Sequence, residues 1–356
     1  MISIVIRICL ILFIFLNFRY EFRLRDFVRL KMALDYTPVP TIRPYPNFNA
    51  AEDGTALREA MKGFGTDEEA IIGILTNRSN SQRQEIAKFF TEEYGRNLLE
   101  DLKKELGGNF EDLILALMIP PVEYLCKQLN KAIKGLGTDD SCLIEILCSR
   151  SNQQIQEIVD CYEAKYNRPF AEHLCSDTSG DFRRFLTLIV TGVRKDATNV
   201  DPDAARELAE KLYASGEGKL GTDEEVFNKI FAHESFPQLR LIFEEYKNIG
   251  GRTIEQAIKN ELSGNMKEAM LATVECVQHP PTFFAKRLHS AMAGMGTDDV
   301  TLIRIIVCRS EIDLENIKLE YERLYEKTLE SAVRSETHGH YKRALLSIIN
   351  AKAQDE

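Results

Sequence analysis

The sequence predicts an all-α fold built from four homologous five-helix units. Three observations carry that prediction. A glycine loop, "KGFGTDEEAI" from Lys62, recurs as "KGLGTDDSCL" from Lys134, "GKLGTDEEVF" from Gly218 and "AGMGTDDVTL" from Ala293. The stretches between the loops carry apolar residues at helical spacing, and none alternates as a strand would. An acidic residue follows each loop at a constant distance of 40 residues.

Composition narrows the partners. The chain has 356 residues, 44% hydrophobic and 28% charged, which is ample for a large core. Its net charge of -10 excludes a nucleic-acid backbone as main partner. It also excludes simple attraction to anionic lipid, so an anionic partner needs a cation in between. The eight cysteines form no CxxC pair and histidine is scarce, so the thiols read as reduced and mostly buried, and zinc is not expected.

The first element is the N-terminal extension and tail, residues 1–47. Residues 2–18 are almost continuously apolar, interrupted by Arg7, and a basic stretch follows. A signal peptide or membrane anchor is one reading. Against it, the run is short for a span, and no small-residue cleavage site follows. Met32 begins "MALDYTPVP" like an ordinary start, so residues 1–31 are read as an upstream extension of the native protein. Residues 35–49 contain four prolines and read as an extended tail.

The units come next: 48–119, 120–194, 205–279 and 280–356, with a polar linker at 195–204. The Gly-Thr pairs at Gly65, Gly137, Gly221 and Gly296 are 72, 84 and 75 residues apart, and the linker accounts for the longer middle gap. In the first unit, "GTALREAM" is a helix leading to the loop. Thr66 is then read as an N-cap with Glu69 completing a capping box, and Thr222 with Glu225 repeats it. Ile71, Ile72 and Leu75 form a helical stripe. Ile86, Phe89, Phe90 and Tyr94 form the next, which ends at Gly95. "NLLEDLKKEL" is the fourth helix. "FEDLILALMI" is apolar nearly all round and should be buried.

One GxGT is an ordinary helix–helix turn, but four in the same place of a repeat call for another explanation. The loop lacks the third glycine of a dinucleotide fingerprint and the GK[ST] of a P-loop. The carboxylates Glu105, Asp177, Glu261 and Glu336 each close the fourth predicted helix of their unit. Loop and carboxylate can therefore lie at one end of the unit. Glycine loops can aim several carbonyls at one point, and carbonyls with a carboxylate are hard oxygen ligands that suit Ca2+ better than Mg2+.

These loops and carboxylates, with "NRSNSQRQEI" (77–86) and "SRSNQQIQEI" (149–158), resemble the annexins, of the four-repeat invertebrate type, over residues 48–353. The resemblance implies a slightly curved, all-helical disc of four five-helix repeats that binds Ca2+ on its convex face and docks there on phosphatidylserine-rich membranes. Carried over by position, it implies ligands Met61, Gly63, Gly65 and Glu105 in the first site. The second would use Ile133, Gly135, Gly137 and Asp177, and the fourth Met292, Gly294, Gly296 and Glu336. The third departs: Lys219 replaces the first loop glycine and Gly218 is shifted one place, leaving Lys219, Gly221 and Glu261 with the first ligand unassigned, since a carbonyl ligand does not need a glycine.

The residues between the glycines, Phe64, Leu136, Leu220 and Met295, are all apolar. Either they project into the lipid headgroup boundary or they tuck under the loop; the resemblance favours membrane contact. His338 and His340 follow closely on Glu336 and are read as inert, the alternative being that their protonation weakens the fourth site.

The expected function is thus Ca2+-dependent binding to anionic, phosphatidylserine-like membranes, as a scaffold for membrane organisation, trafficking or repair. Several weak sites on one face give avid binding. The protein is expected to be cytoplasmic, peripheral on membranes when Ca2+ rises, with protein partners possible through its tail. No nucleophile–base pair or hydrolase motif supports an enzyme. The alternative is a helical-repeat scaffold that binds proteins without Ca2+.

Overall fold

The computed structural model describes residues 36–351, apart from Phe64, Gly135, Leu136 and the segments 196–198 and 218–220. Among the described residues there are twenty helices and no strand. They fall into four groups of five. The first is α1 (Ala50–Ala60), α2 (Glu68–Leu75), α3 (Asn80–Tyr94), α4 (Leu98–Glu105) and α5 (Gly108–Met118). The second is α6 (Pro121–Ile133), α7 (Asp140–Leu147), α8 (Asn152–Tyr166), α9 (Phe170–Asp177) and α10 (Gly180–Val190). The third is α11 (Pro202–Ser215), α12 (Glu224–His233), α13 (Phe236–Gly250), α14 (Ile254–Glu261) and α15 (Gly264–Gln278). The fourth is α16 (Pro280–Met292), α17 (Asp299–Ser310), α18 (Leu314–Tyr325), α19 (Leu329–Glu336) and α20 (Gly339–Ile349).

Local sequence sets the ends. The long third helix of the first two repeats starts at a full capping box, Ser79 with Gln82 and Ser151 with Gln154. It stops where the backbone turns left-handed, at Gly95 in one and Asn167 in the other. Proline opens α6, α11 and α16, where its missing N–H costs nothing.

The second helix of each repeat is capped differently from the sequence expectation. The N-cap of α2 is Asp67, whose carboxylate accepts from the Ala70 N–H, and Asp139 and Asp298 do the same for α7 and α17. Asp223 holds the N-cap place in α12, where its side chain makes no cap bond. Thr66 and Thr222 are therefore not caps, and no box forms with Glu69 or Glu225; their hydroxyls are used elsewhere.

Packing follows one plan: the first and third helices of each repeat lie side by side. In α5, Leu113, Ile114, Leu117 and Met118 are fully enclosed, as the all-round apolar pattern predicts. Each such side chain stabilises the fold by about 1.5–3 kcal/mol. Repeats one and four join through α2 and α5 against α17 and α20, and repeats two and three through α7 and α10 against α12 and α15. Across the middle, Glu145 of α7 accepts two bonds from Arg304 of α17, at 2.7 and 2.8 Å. Both side chains are sealed from solvent.

Residues 39–45 of the tail are tied down. The N–H groups of Thr41 and Ile42 both donate to the Ser310 carbonyl at 2.9 Å. Tyr45 exchanges two bonds with Gln82, and its ring lies under the Arg78 guanidinium. Residues 39–45 therefore bridge repeats four and one.

The described cysteines are all free thiols. Cys142 and Cys148 sit in helix core, and burial pushes both thiols up to about 12. Cys9 lies outside the described residues.

Candidate functional site

Each glycine loop runs from the end of a repeat's first helix to the start of its second. One main-chain bond closes it: Asp67 N–H to Ala60, Asp139 to Ala132, Asp223 to Ser215 and Asp298 to Ala291, at 2.8–2.9 Å. Gly65, Gly137, Gly221 and Gly296 all have φ between 85° and 97°, a region closed to most side chains. Nothing lies within 4 Å of where a Cβ would stand on any of them. These four glycines therefore stand in open space.

The carboxylate found 40 residues on is the last residue of the repeat's fourth helix in every case. The structure brings it to the loop through the threonine. Thr66 Oγ1 donates to Glu105 Oε2 at 2.9 Å, and Thr222 Oγ1 to Glu261 Oε2 at 2.8 Å. Thr138 and Thr297 donate instead to the main-chain carbonyls of Asp177 and Glu336, at 2.8 and 3.5 Å. Sequence reading missed this role for the four threonines. Its signal was present, a constant 39-residue separation from threonine to acid.

The remaining sequence-predicted residues fall as follows. Met61 is the C-cap of α1 and is buried, Ile133 is the last residue of α6, and Met292 is the last of α16. Gly63 and Gly294 also have positive φ with open space beside them. Gly135 and Lys219 lie outside the described residues, as do Phe64, Leu136 and Leu220. Met295, the one described loop tip, is fully exposed, with 107% of its reference surface in solvent.

The third loop is longer than the others. Seven residues separate Ser215 from Asp223, where six separate Ala60 from Asp67. The additional residue accords with Gly218 standing three places before Gly221, where Gly63 stands two before Gly65. Glu217, inside this longer loop, is anchored by Arg252 Nη1 at 2.7 Å and the Tyr246 hydroxyl at 3.1 Å.

Electrostatics favour a cation here. Glu68, Glu105, Asp299 and Glu336 line one cavity of about 580 Å3 between repeats one and four. Asn109 Nδ2 donates to Asp299 across it at 2.6 Å. His340 does not turn to Glu336: its ring faces Glu69 at 3.3 Å and packs on Phe110. Among the described residues, no three His, Cys, Asp or Glu side chains are grouped to hold a metal. A cation at a loop would therefore rest mainly on main-chain carbonyls with a single carboxylate. That hard-oxygen donor set fits Ca2+, which takes about six to eight oxygens at about 2.3–2.6 Å, and leaves coordination positions open.

Four helical repeats, each with a glycine loop bonded through its threonine to an acidic residue at the end of the fourth helix, define the class. Residues 52–117, 124–189, 207–273 and 283–348 match the annexin family profile, and the chain belongs to the annexin family. It is 59% identical to Annexin B10 of Drosophila melanogaster over 320 residues, spanning 89% of this chain and all of that one. Among solved structures it is similar to annexin III, with a TM-score of 0.86 and 44% identity over 89% of this chain and 98% of that one. It is also similar to a calcium-bound annexin (Sm)1, with a TM-score of 0.81 and 32% identity over 90% and 96%.

Proposed function

We propose that this annexin binds anionic phospholipid membranes in a Ca2+-dependent manner through its four glycine loops. One observation carries the reading: in every repeat a threonine of the loop bonds to the acidic residue 40 positions after the Gly. The structural relative annexin (Sm)1, described as calcium-bound, supports the choice of ion. The first site would use carbonyls of Met61, Gly63 and Gly65 with Glu105, and the second Ile133, Gly135, Gly137 and Asp177. The third would use Lys219, Gly221 and Glu261, and the fourth Met292, Gly294, Gly296 and Glu336. Bound there, Ca2+ supplies positive charge and open positions for phosphate oxygens, which an acidic chain lacks. The residues' own part is to hold the carbonyls and carboxylate in place and to keep the ligand set incomplete until lipid arrives.

Phe64, Leu136, Leu220 and Met295 would enter the headgroup boundary beside the ion. The full exposure of Met295 supports projection over packing at the fourth loop. Phosphatidylserine is the proposed headgroup, and membrane organisation, trafficking or repair the proposed role, as a cytoplasmic peripheral protein and not an enzyme. No helix among the described residues is long and apolar enough to cross a membrane. A protein partner on the tail would have to read residues outside 39–45 or displace that strap. The proposed units are 48–119, 120–194, 205–279 and 280–356, with the linker 195–204 between halves and 1–47 as extension and tail.

The test is co-sedimentation with phosphatidylserine vesicles, with Ca2+ and then with chelator. Reversible pelleting in Ca2+ alone is expected. Partner binding without Ca2+, and no pelleting in either condition, would instead make the protein a Ca2+-independent scaffold.

A further inference from the structure

We propose that the four loops fill in two steps, the first and third before the second and fourth, because Thr66 and Thr222 position their carboxylates and the other two threonines do not. The inference rests on the reading of the loops as Ca2+ sites and adds a ranking among them. In repeats one and three the threonine hydroxyl donates to a carboxylate oxygen, Glu105 Oε2 or Glu261 Oε2. An ionised carboxylate has about four lone-pair sites, so one such bond leaves it free to ligate while fixing its direction. A group held in its ligating position before the ion arrives loses less freedom on binding.

Repeats two and four are built otherwise, and both in the same way. A serine precedes the acid, Ser176 before Asp177 and Ser335 before Glu336, where repeats one and three have Lys104 and Asn260. The Ser176 hydroxyl is shared between the His173 carbonyl at 2.7 Å and Asp177 Oδ2 at 2.5 Å. The Ser335 hydroxyl is shared between the Ala332 carbonyl at 2.8 Å and Glu336 Oε1 at 3.2 Å. Each serine in turn accepts from a basic side chain eight residues earlier, Arg168 Nη2 at 3.4 Å and Lys327 Nζ at 3.1 Å. The corresponding bases of repeats one and three are paired elsewhere, Arg96 with Asp101 and Arg252 with Glu217. So in repeats two and four the acid is held from its own helix end, and the loop threonine reaches only main chain. Asp177 is also one methylene shorter than the three glutamates, which limits its reach toward the loop further.

The full chain is titrated calorimetrically with Ca2+ alone, without lipid. The expected wild-type curve has a tighter and a weaker phase. Loss of an outer-shell partner typically weakens metal binding about 10–100-fold. T66V/T222V should therefore weaken the tighter phase by that factor, T66S/T222S should restore it, and T138V/T297V should leave it alone. A single wild-type phase, an unchanged T66V/T222V curve, or an equal effect of T138V/T297V would overturn the ranking. E105Q/E261Q separates the two levels: abolition of the tighter phase upholds the sites, whereas an unchanged curve overturns the site assignment and the ranking with it. A T66V/T222V protein that fails to fold while T66S/T222S folds and binds as wild type still isolates the hydroxyl as the group required.

Discussion

Replacing Glu145 by Gln should destabilise the protein more than almost any other single change that keeps side-chain shape. Glu145 and Arg304 are only 4% and 1% exposed, and their bonds are bidentate at 2.7 and 2.8 Å. Burial alone lowers the Arg304 pKa, and the Glu145 charge and hydrogen bonds more than reverse that. The amide would keep one acceptor oxygen but leave the guanidinium charged, sealed in and without its counter-charge, with Thr301 at 3.0 Å as its other present partner. Arg287, 3.5 Å from the same carboxylate, would lose its counter-charge too. Removing one partner of a buried pair costs about 3–5 kcal/mol. That is a large share of the roughly 5–15 kcal/mol of a typical domain. The assay is urea denaturation, read as a fall in midpoint at unchanged slope. Replacing both partners by apolar residues, E145L/R304M, should recover most of the loss. A loss under about 1 kcal/mol for E145Q, or a double variant no better than the single, would refute the idea that this pair is held by mutual compensation.

Other outcomes follow from the loops and the core. Met295→Asp, Leu136→Asp and Leu220→Asp should each weaken vesicle binding with thermal stability nearly unchanged; a fall in melting temperature instead would mean packing. Gly65→Ala should cost about 1–3 kcal/mol from backbone conformation alone, since φ is 95° and no neighbour is near, and a neutral result by denaturation would contradict that. His173, bonded to the Tyr162 hydroxyl at 2.6 Å, has its pKa lowered from 6.5, first by burial and then by Arg168. The unfolded chain then binds the proton more tightly, so this contribution is complete above pH 6.5 and is lost as pH falls through the lowered folded value. His173→Gln should remove that component from a stability–pH profile measured between about pH 7 and pH 5.

Much of the fold, and the meeting of each glycine loop with its acidic residue, was legible because a candidate main-chain site leaves its own marks. A carbonyl site needs glycines, and a carboxylate at the end of a helix a fixed distance away needs a fixed spacing; both recur four times in plain sequence. The threonines were misread because a threonine before an acidic first turn is also a good cap. Which role wins depends on α4, α9, α14 and α19 lying against the loops, with Asp67 and its equivalents ready to cap instead. The one-place shift of Gly218 in the third loop was visible in sequence, and the bond from Asp223 to Ser215 shows where the longer path closes. His340 was placed by sequence beside Glu336, yet its direction is set by the packing of α20 on α2. The tail's attachment to Ser310 joins residues 269 apart in sequence, beyond any local signal. The Glu145–Arg304 pair could have been found: "CLIEIL" and "TLIRII" carry opposite charges at equivalent places in otherwise apolar helices.

The most direct measurement is the Ca2+ dependence of vesicle pelleting for a variant in which Glu105, Asp177, Glu261 and Glu336 are all carboxamides. Wild type should pellet with phosphatidylserine vesicles in Ca2+ and return to solution with chelator, while the folded variant stays in solution at the same Ca2+. A variant that pellets at the wild-type Ca2+ midpoint would contradict the assignment of these four carboxylates as the ligands that tie the loops to the membrane.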